Sequence, residues 1–270
     1  MAIPYYHVDA FTGELFRGNP AGVCILSAFL ADDILQKIAT ENRHSETAFV
    51  VPRADGDFDL RWFTPTVEDD LCGHATLASA YVLALRKHSK WPVRFHTGAG
   101  MLTVVRGAHD PDSYELDFPA RPPQPCETPV DLLPALGLKT ALVLKSRDYL
   151  VVLDQAEQVR TLSPDIRALA KIDMGNGGVI VTAPGALVAG GGTVDYVCRL
   201  FAPGEGIDED PATGSIHCTL APYWAGRVGK DTLRAQQLSA RGGTMQCTNA
   251  GDRVKIAGQA CLYLQGTLEL

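Results

Sequence analysis

Two short loops carry most of the residues with chemical potential in this 270-residue chain. The first reads Leu71-Cys72-Gly73-His74-Ala75-Thr76, and the second Ala212-Thr213-Gly214-Ser215-Ile216-His217. Each follows an acidic run and, before it, a strand-like motif: Arg61-Trp62-Phe63-Thr64-Pro65 in one half, Arg199-Leu200-Phe201-Ala202-Pro203 in the other. A glycine where a helix begins lets a ligand reach the backbone, and the amides after it are unpaired donors at the positive end of the helix dipole. Two such ends around one cleft would hold a carboxylate or stabilise a developing enolate. Singly, Gly73 and Gly214 would only permit tight helix starts. Their duplication, with a second glycine cluster beyond each (Gly98-Ala99-Gly100 and Gly242-Gly243), points to function.

His74 follows Gly73, where a helix N-terminus favours the neutral imidazole, a competent proton acceptor or donor; a core histidine is the alternative. Its symmetric counterpart is Ser215, able to donate to a substrate oxygen or to cap its helix. Glu46, directly before an apolar strand, is read either as a strand-edge charge or as a carboxylate at a cleft edge, partly desolvated and able to shuttle a proton. Asp210, last of Asp208-Glu209-Asp210, is the best-placed second carboxylate, since three consecutive acids cannot all be buried. Cys72 offers a thiolate route. A two-base racemase would need a matching cysteine in the second loop, where Thr213 stands instead, with a hydroxyl too weak in acidity. A Cys72/His74 metal site is expected to lack further ligands, so no metal is assigned.

These residues need elements to position them. Strands are expected at Tyr5–Phe11, Gly22–Leu26, Thr47–Val51, Phe58–Phe63, Val93–His96, Met101–Val105 and Ser113–Phe118. A helix is expected over Asp32–Asn42. Another spans Ala75–Lys87, with Leu77, Ala80, Tyr81 and Ala84 on its apolar face and Arg86, Lys87 and His88 at its end. Pro119, Pro122, Pro123 and Pro125 then form a stiff connector, so lobes of 1–118 and 119–270 are expected, with the strand near 261–270 able to join the first. The second half reads as short helices near Asp131–Leu136 and Pro164–Ala170, and strands at Ala141–Lys145, Tyr149–Leu153, Gly177–Thr182 and Tyr196–Phe201, with a Gly190-Gly191-Gly192 loop before the last. A helix over Ser215–Ala225, kinked or cut short by Pro222, precedes strands at Leu233–Ala240, Met245–Thr248, Arg253–Ala257 and Leu262–Leu268. This order favours α+β over a doubly wound parallel sheet. No nucleotide-binding glycine motif is present.

Net charge is -7 and no basic run occurs, which argues against nucleic acid and anionic membranes as partners. The N-terminal residues lack a signal-peptide pattern, and no apolar stretch is long enough to span a bilayer. Seven widely spaced cysteines without a C-x-x-C motif suggest a reduced, cytoplasmic protein.

Five motifs in unchanged order resemble the PhzF-like isomerase family, named for phenazine biosynthesis: Phe16-Arg17-Gly18-Asn19-Pro20-Ala21, Ser45-Glu46-Thr47-Ala48-Phe49, Arg61 to Pro65, Leu71 to Thr76, and Glu209-Asp210-Pro211-Ala212-Thr213-Gly214-Ser215. The resemblance spans Tyr5 to Gly243. It implies a diaminopimelate-epimerase-like fold, in which two pseudo-symmetric halves each wrap a curved, mainly antiparallel sheet around a central helix, with the active site between them. It also implies a cofactor-independent isomerase, commonly a homodimer, that moves a proton within a small, possibly cyclic, carboxylate. By that resemblance Glu46 is the shuttle, assisted by His74 and Asp210. Gly73, Gly214 and Ser215 bind the substrate, with Asn19, Cys72 and Thr213 as further contacts. His44 and Arg43 depart from the pattern beside Ser45-Glu46. A cysteine-dependent epimerase using Cys72 and a non-catalytic small-molecule-binding protein are the alternatives.

Overall fold

The computed structural model describes residues 2–87, 90–107, 110–185 and 192–270. His88, Gly190 and Gly191, singled out in the sequence, lie outside them. The chain divides into two compact units, one running to Phe118 and resuming at Ile256–Leu270, the other covering Pro119–Lys255.

In the first unit, Ala2–Ala10 pairs antiparallel with Asn19–Ile25 and with the last strand, Arg253–Glu269. That last strand is continuous where the sequence suggested two; a register shift opposite His7/Val8 lets it pass the irregularity unbroken. Gly18 closes the turn before Asn19 with φ +65°, and a Cβ there would stand 2.2 Å from the Ala10 carbonyl oxygen, so only glycine fits. Asn19–Ile25 runs parallel to Glu46–Pro52 after a crossover through the Asp32–Asn42 helix. That helix is amphipathic as read, burying Leu35, Ile38 and Ala39 against Phe49 and Phe63. Glu46–Pro52 pairs antiparallel with Phe58–Phe63, which lies parallel to Val93–Thr97 after a second crossover through the Gly73–Leu85 helix.

The Gly73–Leu85 helix is not the one-sided helix expected. Ala78, Ser79, Val82 and Leu83 are buried along with Leu77 and Ala80, whereas Tyr81 and Ala84 are only half-buried. Its small and aliphatic residues let packing surround it on nearly all sides, the pattern of a central helix.

The second unit repeats this order. Tyr149–Val152 runs parallel to Val179–Pro184, which pairs antiparallel with Tyr196–Ala202; that strand runs parallel to Thr232–Gln237, which pairs antiparallel with Gly243–Ala250. The two parallel steps are again bridged by helices, first Ala156–Thr161 and Ile166–Leu169, then His217–Val228. The last of these begins later than Ser215, because the Gly214–Ile216 segment forms a tighter turn with bonds from the His217 and Cys218 amides to the Gly214 and Ser215 carbonyls. Nor does Pro222 stop it. Proline removes the N–H that would bond the Cys218 carbonyl, and the Arg121 N–H of the connector takes that carbonyl instead, at 2.8 Å.

Each half also repeats an arginine fork. Arg61 holds Glu68 with two bonds of 2.7 Å and reaches Asp32 at the start of the first crossover helix. Arg199 holds Glu209 at 2.7 and 2.8 Å and donates to the Val159 and Leu162 carbonyls at the end of its own crossover helix. The acidic runs thus serve first to tie sheet to helix.

Candidate active site

Three chain segments begin close together in the first unit. Asn19 and Glu46 each open a strand, and Gly73 opens the central helix. Asn19, Glu46 and His74 are all buried, with Glu46 7% and His74 5% exposed. No side chain caps the helix at Cys72. Thr76 and Ser79 instead donate to carbonyls of their own helix, at Cys72 and Ala75.

A relay fixes the histidine. The Ser45 hydroxyl donates to Asn19 Oδ1 at 3.2 Å, which turns the Asn19 amide nitrogen toward His74 Nδ1 at 3.3 Å. Nδ1 therefore accepts, and the ring proton sits on Nε2. Nε2 lies 3.0 Å from Glu46 Oε2, an approach that is off the line of a ring N–H bond. Cys72 Sγ is 3.5 Å from His74 Nδ1.

The cluster corrects one expectation. Cys72 and His74 do not lack a third donor, because Glu46 brings a carboxylate oxygen within 4.8 Å of both.

His44 packs its ring 4.3 Å from that of His7, and its Nε2 lies 2.8 Å from the Tyr5 hydroxyl. Arg43 ends the Asp32–Asn42 helix in a left-handed conformation, φ 54°, with its N–H on the Ala39 carbonyl.

In the second unit Asp210 is buried at the end of the Ile207–Asp210 strand, whereas Asp208 is exposed and Glu209 is taken by Arg199. Asp210 accepts from the Thr213 hydroxyl. Gln237, which sequence reasoning missed, locks this loop: its Oε1 accepts from the Thr213 N–H at 2.8 Å, and its Nε2 donates to the Asp210 carbonyl at 2.7 Å and to Thr213 Oγ1 at 3.2 Å. The Thr213 hydroxyl is thus engaged within the loop. Ser215 is partly buried, and among the described residues its hydroxyl makes no internal hydrogen bond.

Two further titratable groups stand near these loops. Burial, and then the charge of Glu46, push the Asp69 carboxyl up to about 6. Burial alone pulls His217 down to about 3, while its Nδ1 lies 2.7 Å from the Tyr196 hydroxyl. Asp69 left a trace in the sequence: it precedes Gly73 by the interval at which Asp210 precedes Gly214.

The sequence matches the PhzC-PhzF family, described as phenazine biosynthesis-like protein, over residues 8–266. The chain belongs to that family. An uncharacterized isomerase of Pseudomonas aeruginosa is 51% identical over the whole of both chains. The crystal structure of a PhzF family protein from Enterococcus faecalis superposes with a TM-score of 0.91 at 43% identity, covering both chains completely. A hydroxyproline epimerase from Agrobacterium vitis, at 12% identity and a TM-score of 0.59 over 99% of this chain and 92% of its own, shares the fold alone. This PhzC-PhzF protein is an isomerase with the α+β, diaminopimelate-epimerase-like fold. Among the described residues no helix is long and apolar enough to cross a membrane.

Proposed function

We propose that the protein is a cofactor-independent isomerase that moves a proton within a small carboxylate-bearing metabolite, with Glu46 as general base and then general acid. The observation that carries this reading is the buried Glu46 carboxylate, 3.0 Å from a histidine nitrogen whose proton is placed by Asn19 and Ser45. Glu46 takes a proton from a carbon next to, or conjugated with, the substrate carboxylate or carbonyl. The C–H electron pair moves into the π system as an enolate. The positive end of the Gly73 helix dipole suits the developing negative oxygen. The protonated Glu46 then returns the proton to another carbon or to the opposite face, so one C–H bond breaks, one forms, and no electrons leave the substrate. His74, whose Nε2 lies beside the carboxylate, assists as a proton relay between turnovers. On the strength of the duplication, Asp210 and Ser215 are assigned to substrate hydrogen bonds. The seven cysteines, all free, accord with a cytoplasmic protein, and a homodimer completes the proposal.

A screen of cyclic and acyclic carboxylates for hydrogen–deuterium exchange in heavy water tests this reading. Exchange at one carbon is expected. Carboxylates that bind without any exchange would indicate a binding protein instead. A second reading, a cysteine-dependent epimerase, rests on the Cys72–His74 approach of 3.5 Å. Alkylation of Cys72 that leaves exchange intact would remove it.

A further inference from the structure

The duplication reaches one residue beyond the recognised motifs. With the loops aligned on Gly73 and Gly214, Asp69 falls on Asp210. The ladders agree: Asp69 pairs with Trp62 and Asp210 with Leu200, each the residue after the fork arginine. Both carboxyls turn back on their loops, Asp69 Oδ1 accepting from the Asp70 N–H at 2.8 Å and Asp210 from the Thr213 hydroxyl.

Register places Asp69 on the side of Glu46. Ala48 pairs with Trp62, and Trp62 with Asp69, so the three project from one face of the sheet. Glu46, two residues before Ala48 on the same strand, projects from that face too. Glu68 projects from the other, where Arg61 holds it. The charged groups acting on Asp69 are Glu46 from the strand and Asp70 from its own loop, while the helix start on the Glu46 face contributes His74 and Cys72. Asp69 is partly buried, and its rise to about 6 has burial and Glu46 as its two leading causes.

We propose that Asp69 is a positioning residue for Glu46: when ionised, it adds a second negative charge beside Glu46 and so strengthens the hold of Glu46 on the proton taken from substrate. This rests on Glu46 being the shuttle. The pair would then be a better base above neutral pH and a better proton donor in mild acid.

The test needs no substrate. Protein labelled with 13C at the Asp and Glu carboxyls is titrated by NMR, and the Glu46 signal is identified by its loss in Glu46→Gln. The wild-type Glu46 signal is expected to show an inflection where Asp69 ionises, near pH 6. Asp69→Asn, which keeps an oxygen for the Asp70 N–H, is expected to lose that inflection, and Asp69→Glu to keep one. A Glu46 signal that titrates identically in wild type and Asp69→Asn overturns the proposal, as does a wild-type Asp69 carboxyl that titrates in the ordinary aspartate range. If the coupling stands but Glu46→Gln still exchanges substrate deuterium, the shuttle is what fails. If exchange is lost but Glu46 ignores Asp69, the present inference alone fails.

Discussion

Replacing His217 by glutamine should flatten the acid side of the stability profile. His217 is fully buried at the start of the His217–Val228 helix. The Tyr196 phenol, held protonated by its own burial, donates to Nδ1, so the ring is neutral with its proton on Nε2. Burial lowers its folded value from 6.5 to about 3. A depressed base contributes stability that is fully present above its unfolded value and is lost as pH falls toward the folded one, so the window runs downward from 6.5. Between about pH 7.5 and about pH 5 the unfolded histidine gains nearly a full proton and the folded one almost none, which removes about 2 kcal/mol of stability at ~1.36 kcal/mol per unit. Urea unfolding followed by tryptophan fluorescence, to which Trp224, stacked on Tyr196, contributes, reads this. The fall in stability between the two pH values should be smaller in His217→Gln than in wild type by about 2 kcal/mol, whatever constant cost the substitution carries. Equal falls in the two proteins would refute the burial argument.

Arg199→Ala should cost about 3 kcal/mol, because the side chain is only 11% exposed and its loss strands Glu209 and two helix carbonyls. Arg61→Ala, whose partner Asp32 is 79% exposed, should cost about 1 kcal/mol in the same denaturation assay. Gln237→Leu should destabilise by about 3 kcal/mol, since it leaves the Thr213 N–H and the Asp210 carbonyl without their bonds.

Much of the fold was legible because its strongest periods are local. The 3.6-residue pattern of Ile34, Leu35, Ile38 and Ala39 gave the Asp32–Asn42 helix to the residue, and the turn signals around Asp55-Gly56 delimited Phe58–Phe63. The Ala156–Thr161 helix escaped notice. It is short, and its start is capped not by Ser, Thr, Asp or Asn but by Gln158, whose side chain accepts from the Asp154 and Gln155 amides. Burial all round the Gly73–Leu85 helix could not be read from its own residues, since it depends on strands far away in sequence. At the site, the glycine loops drew attention to His74 and Asp210, and the position just before an apolar strand drew attention to Glu46. Neither could say which acid of a run turns inward. That is decided by strand alternation, which sends Glu68 to Arg61 and Asp69 to the other face. Gln237 carried no local signal, because its role is to bridge loop residues from a strand that follows a whole helix later.

The central claim is that Glu46 carries the proton, and the most direct measurement is deuterium incorporation from heavy water by Glu46→Gln, with binding of the same carboxylate measured alongside. Wild type should label the substrate at one carbon. The variant should bind within about threefold of wild type yet label at least about a hundredfold more slowly, the loss expected when a general base is removed. Labelling by Glu46→Gln at the wild-type rate would contradict the account.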